Sequence, residues 1–197
     1  MLPTRHLEQW RVLDELEAWL ATLPDWVQVG IVRELVGRCR ELTLRANELQ
    51  AELGRRVARV CLRLLRLPGC GVLTAAKILA EVAGVGRFRS EAALAMHAGA
   101  APLECSSGAW QRHRLSRVGN RQLNAALHRI AVTQLRVHPP AQAYLARLQA
   151  TGKSKREALR VLKRRLVRVV FNLLHADLKQ AQLDPSSALL PAHEPAA

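Results

Sequence analysis

Aromatic residues are scarce in this 197-residue chain, at 4%, and Tyr144 is its one tyrosine. Large sheets pack with aromatic and β-branched side chains, so this scarcity argues against a sheet-based fold. No apolar run is long enough to span a bilayer. No signal peptide opens the chain, because Met1 to Trp10 is polar and mixed in charge. A cytoplasmic protein with no membrane contact is the expectation. Close cysteine pairs are also missing: the four stand at 39, 61, 70 and 105, without zinc-knuckle or redox spacing. Cys39 and Cys61 fall within helical apolar patterns, where a reduced thiol acts as a small hydrophobe, so structural roles are expected. Acids are few in the second part of the chain. Between 67 and 183 they are Glu81, Glu91, Glu104, Glu157 and Asp177, too scattered for an obvious two-metal site.

What is abundant is helix composition. Hydrophobic residues make up 49%, enough for a core, and Leu, Ala, Val and Arg dominate. The net charge is +14, and 25 of the 30 basic residues are arginine, whose forked guanidinium suits phosphate. The excess is uneven. Residues 1–66 carry a balance of +2, residues 67–183 carry +14, and 184–197 carry −2. A merely soluble basic surface fits the first segment and not the second, which points to a polyanionic partner.

Along the chain, 4–22 reads as a short amphipathic helix broken by Leu23-Pro24-Asp25, with Asp25 as a candidate cap for the next. From Val32 the apolar positions Leu35, Cys39, Leu42, Ala46, Leu49 and Leu53 alternate steps of three and four, a heptad seam. The seam slips after Leu53, where Gly54 suggests a stutter or bend, and continues through Val57, Val60, Leu64 and Leu67. This arm is either one long helix packed on its own domain or a coiled coil. At Leu67-Pro-Gly-Cys-Gly71 the character changes. An apolar residue, Pro-Gly-x-Gly and an Ala-rich helix over 72–83 read as a helix-hairpin-helix element, with Gly69 and Gly71 allowing the turn and the helix start offering N–H groups to phosphate. A plain glycine turn between helices reads equally well.

Ser90 caps a helix through Ala98, ended by Gly99, and Pro102 to Asn120 is the longest stretch without periodicity. Asn120 caps a helix with Leu123, Leu127, Ile130 and Leu135, closed by His138-Pro139-Pro140. A short helix 141–150 carries Tyr144. The last helix, about 154–182, places Leu159, Leu162, Leu166, Val169, Val170, Leu173 and Leu174 on one face. Arg156, Arg160, Arg164 and Arg168 run along the other, with Lys155, Lys163 and Arg165 beside them. Like charges at that spacing repel, so a phosphate-binding role competes with a plainly solvated face. From Asp184 the Pro-, Ser- and Ala-rich tail reads as disordered.

Several of these strings, in order, resemble the C-terminal domain of the insertion-sequence 110/116/902 group of transposases. They are Leu67-Pro-Gly-Cys-Gly71, Thr74-Ala-Ala76, Glu81, Arg87-Phe-Arg-Ser90, Ala98-Gly-Ala-Ala-Pro102, Ser106-Ser-Gly108, Arg114-Leu-Ser-Arg-Val-Gly-Asn120 with Leu123, Tyr144, Gly152-Lys153 and the terminal basic helix. The resemblance covers about 67–175, and the heptad helix is similar to that family's coiled-coil linker. The chain departs from the family pattern at Val118 and Asn124, where basic residues are frequent.

The resemblance implies serine recombination of DNA guided by a structured RNA, with Ser107 as nucleophile and Ser106 as the neighbouring alternative. A hydroxyl is a weak nucleophile and needs activation, and the phosphate needs charge neutralised. Arg112, Arg114 and Arg117 lie near in sequence for that purpose. Gly69, Gly71, Asn120, Arg121, Lys153, Arg156, Arg160, Arg164 and Arg168 are the further nucleic-acid-binding candidates. Family members also carry a nuclease-like domain whose acidic tetrad holds magnesium, and nothing in these residues corresponds to it. No cofactor is therefore expected here; magnesium belongs with that other domain, and a truncated copy inactive by itself is the expectation. The expected architecture is all-α: helix and coiled-coil arm over 1–66, basic helical domain over 67–183, and a tail over 184–197. DNA, guide RNA and a second copy bound through the arm are the expected partners. The alternatives are a non-enzymatic helix-hairpin-helix DNA-binding module and an inert remnant whose arm only self-associates.

Overall fold

The computed structural model describes residues 9–104, 113–115 and 118–183. The fold is all-α, with helices α1 (Trp10–Ala21), α2 (Val27–Leu65), α3 (Val72–Val82), α4 (Glu91–His97), α5 (Arg121–Val137), α6 (Pro139–Ala150) and α7 (Lys155–Leu183). A 3-10 turn covers Val85–Arg87, and two short strands, β1 (Pro102–Glu104) and β2 (His113–Leu115), pair antiparallel. No helix among the described residues is long and apolar enough to cross a membrane.

The chain divides into two compact units between Glu52 and Leu53, ahead of the change in sequence character at Leu67. In the first unit, Leu13 and Leu20 of α1 are buried against Val29 and Val36 of α2, with Leu16, Leu23 and Cys39 alongside. Asp25, expected to cap α2, pairs instead with Arg33 (Nη1 to Oδ1, 2.8 Å). Arg40 bridges from α2 to Asp14 and to Glu17 of α1, the latter at 3.0 Å. Of the heptad seam of α2, Cys39 packs on the cluster formed with α1. Leu35, Leu42 and Leu49 remain 58%, 54% and 50% exposed.

In the second unit α2 contributes Val57, Cys61 and Leu64 to a core completed by α3, α4, α5 and α7. This is why the compact unit starts before Leu67. The helix passes Gly54 without a break and is interrupted at Cys61, whose φ of −153° and ψ of 77° leave the helical region. A Cβ at Gly54 would make only ordinary contact, 3.5 Å from Val72 Cγ2, so neither a bend nor crowding marks this glycine. Cys61 and Cys70 are buried free thiols, consistent with the structural roles expected of them.

Two of the caps that the sequence suggested form, those of Ser90 and Asn120. Ser90 Oγ accepts from Ala93 N at the start of α4, and Asn120 Oδ1 accepts from Leu123 N at the start of α5. Ser154 and Glu157 form a reciprocal capping box before α7, with Ser154 N donating to Glu157 Oε2 at 2.9 Å and Glu157 N to Ser154 Oγ at 3.3 Å. Pro139 and Pro140 do not merely end α5; they open α6, because a fixed φ and a missing N–H suit the first helical turn.

Two expectations require correction. The irregular stretch 102–120 contains the β1–β2 ladder, with Pro102 opposite Leu115 and Leu103 opposite Arg114. Strands of three residues are too short to show alternation in sequence. In α7 the buried set is Ala158, Leu162, Lys163, Leu166, Val167, Val170 and Leu174. Lys163 therefore leaves the basic face on which its neighbours had placed it.

Candidate nucleic-acid interface

The turn between α2 and α3 packs inward. Gly69 has φ +81°, and a Cβ there would meet the Ile130 carbonyl oxygen at 2.9 Å and Thr133 Cβ at 3.2 Å. Gln134, buried in α5, donates from Nε2 to the Pro68 carbonyl at 2.8 Å. Gly69 is thus accounted for by contact with α5. Gly71 differs: nothing lies within 4 Å of the Cβ position, and it forms the N-cap of α3 without a side-chain cap. Of the two glycines, Gly71 is the open one.

The C-terminus of α4 forms a junction with the start of α5. Gly99 turns the chain with φ +60°, and Gly119 lies against its backbone. Asn120 N donates to the His97 carbonyl at 2.6 Å. Asn124 Nδ2 donates to the carbonyls of Ala98 (2.7 Å) and Gly99 (3.2 Å), while its Oδ1 accepts from Lys163 Nζ at 2.7 Å. Carbonyls at the helix end are thereby satisfied by Asn120 and Asn124, while Lys163 of α7 holds the Asn124 amide from its other side. Burial, and then the charge of Arg160, pull the Lys163 ammonium below its ordinary value. Asn120, placed among nucleic-acid contacts by the sequence, also donates from Nδ2 to Glu81 Oε2 at 2.6 Å, so its side chain is committed within the fold.

The exposed basic groups expected on the second unit are Arg121, Lys153, Arg156, Arg160 and Arg168, while Arg164 is half-buried. Arg164 and Arg168 both reach Glu91 at the start of α4. Arg168 Nε lies 2.9 Å from Oε2, whereas the two Arg164 nitrogens lie at 3.3 and 3.4 Å, long for hydrogen bonds. These hydrogen bonds hold the Glu91 carboxyl below the usual range. Arg147 and Arg165 flank Tyr144, their guanidinium carbons 5.3 and 4.7 Å from the ring centroid, within cation–π range. The sequence reading missed Glu91 as a partner of the basic face. It stands 73 residues from Arg164, and its local signal was only that of an acid in a first helical turn.

Ser106, Ser107, Arg112 and Arg117 lie outside the described residues. Arg114 stands in β2, paired with Leu103. Among the described residues no three His, Cys, Asp or Glu side chains gather where a metal ion could be held. Glu81, Glu91, Glu157 and Asp177 are instead engaged separately with Asn120, the two arginines, Ser154 and Arg63. This donor set does not fit a magnesium site.

This frame, from the break in α2 through α3, α4 and α5 into α6, coincides with a family match. Residues 61–146 match the family described as Transposase IS116/IS110/IS902. Residues 61–146 are thus similar to that transposase family. The match begins ahead of Leu67 and ends before α7, so the basic helix lies beyond it. The chain is also similar to the insertion element IS110 uncharacterized 43.6 kDa protein of Streptomyces coelicolor (strain ATCC BAA-471 / A3(2) / M145), with 38% identity over 112 residues. That alignment covers 56% of this chain and 28% of the relative.

Proposed function

We propose that this chain is the DNA-handling helical part of an insertion-sequence transposase, acting by serine recombination guided by a structured RNA. The observation that carries this reading is that the family match spans α3 to α5 and, Lys163 aside, the α4 junction, Ser106 and Ser107 included. In the proposed step, Ser107 Oγ attacks a DNA phosphorus. A serine–phosphorus ester bond forms, one sugar–oxygen bond to that phosphorus breaks, and the departing sugar oxygen takes a proton to leave as a hydroxyl. The serine proton passes to a base. Arg112, Arg114 and Arg117 neutralise the phosphate charge during attack. The described residues of this chain supply no acidic tetrad, so magnesium would be held by a separate nuclease-like segment and these residues alone do not cleave. Arg121, Lys153, Arg156, Arg160, Arg164 and Arg168 hold the nucleic acid, and the open seam of α2 joins a second copy.

The test is a protein–DNA adduct that survives denaturation. It is expected when a complete nuclease-like domain, magnesium and a matching guide RNA are supplied. It should be lost in Ser107→Ala and retained in Ser106→Ala, and the isolated chain should form none. A second reading, a non-enzymatic DNA-binding module, is favoured by the open Gly71 at the start of α3. It takes over if DNA binds with normal salt dependence while no reconstitution yields an adduct. For either reading, about six phosphate contacts give a slope of log K on log salt near −5, which the Gln variants of Arg156, Arg160, Arg164 and Arg168 should flatten.

A further inference from the structure

The ion pairs between α4 and α7 place a carboxylate where the nucleic-acid reading wants a phosphate. Two arginines one turn apart on α7 converge on Glu91, one of them forked toward both carboxylate oxygens. Planar anion recognition by paired guanidinium groups is the geometry that phosphate shares with carboxylate. The site lies partly at the surface: the Arg168 side chain is 65% exposed, against 28% for Glu91 and 26% for Arg164. An incoming phosphodiester can therefore reach Arg168 while Glu91 still occupies the inner side.

We propose that Arg164 and Arg168 form a phosphodiester-binding site that Glu91 occupies in the free protein, so that nucleic acid binds there by displacing an internal acidic mimic. The proposal rests on the nucleic-acid reading above and adds to it a self-occluded site. Two features of the structure support it. Glu91 touches both arginines, yet the Arg164 distances of 3.3 and 3.4 Å are longer than good charge-assisted bonds, which leaves that guanidinium incompletely satisfied. The α4 helix is also held independently at its C-terminus, through Asn124 and Lys163, so the fold does not depend on Glu91 alone. Release of the carboxylate removes a pair of the modest strength typical of partly exposed ions. The mimic should therefore weaken binding without preventing it.

The experiment measures binding of a fluorescein-labelled DNA duplex of arbitrary sequence to the full chain as a function of salt. Glu91→Gln should tighten binding by about twofold to fivefold, the scale of an exposed ion pair, and steepen the salt slope by about one. Glu91→Asp keeps the net charge but withdraws the carboxylate by one methylene, and should also tighten binding. That gain separates local occupancy from bulk charge and does not depend on the glutamine variant folding well. In an Arg164→Gln, Arg168→Gln background both gains should vanish. Equal affinity of the wild type and both Glu91 variants overturns the proposal and leaves the nucleic-acid reading standing. So does a gain that persists without the two arginines. No binding by any form, wild type included, overturns the nucleic-acid reading itself and the proposal with it.

Discussion

Gly119 rests against the backbone of Gly99 so closely that no side chain fits between them. The contact joins the chain just before α5 to the C-terminus of α4, beside the Asn120 N–H that donates to His97. The neighbour of Gly119 is backbone, which cannot swing aside as a flexible side chain can. Gly119→Ala should therefore force the α4 and α5 ends apart and cost about 1–3 kcal/mol, read from the urea midpoint. Gly71→Ala, facing open space, should cost under about 1 kcal/mol. Equal costs for the two would show that the close approach is unimportant.

Lys163 gives the protein an alkaline signature. Folding lowers the proton affinity of this buried amine, so between its folded value and its ordinary value of 10.5 the unfolded chain binds more protons. Stability should rise with pH across that window, because the cost of burying the charge is fully present below it and gone above it. Lys163→Met should lack this rise in a pH series of unfolding curves. Asn124→Leu with Lys163 retained leaves a buried ammonium without its acceptor and should cost about 3 kcal/mol. The double variant should cost less than the sum of the two.

The thiols should separate by burial. Burial pushes Cys70 up to about 12, and burial followed by the nearby Asp177 carboxylate does the same for Cys61. Peptide mapping after brief maleimide treatment at pH 8 should find Cys39 modified well before either. Comparable labelling of all three in the folded chain would contradict the packed core around the break in α2.

The seam of α2 predicts assembly. Leu42 and Leu49 are half-exposed in the single chain and sit one heptad apart. Replacing both with Asp should convert a self-associated chain to a monomer in sedimentation, with little loss of helix because neither side chain is in the core. A native chain that is monomeric at high concentration would remove the arm from the assembly reading.

Local chemistry made most helices legible. Ser90, Asn120 and Ser154 mark starts because each side chain serves N–H groups within a few residues of itself, and the periodic leucines of α5 fall on its buried side. The concentration of positive charge after residue 66 was equally plain, since charge needs no fold to be counted. Tertiary packing decided the rest. The rotation of α7 about its axis turned Lys163 inward among the buried residues and brought Arg164 and Arg168 to Glu91. Periodicity alone left that rotation open, because Leu159, Val169 and Leu173 and the buried Val167 border the same face. The β1–β2 ladder and the Gly119–Gly99 approach join segments beyond the reach of helical periodicity. Helix signals are written in neighbours three and four residues apart; the partners that shape this site lie 39 and 73 residues away, where only the packed core brings them together.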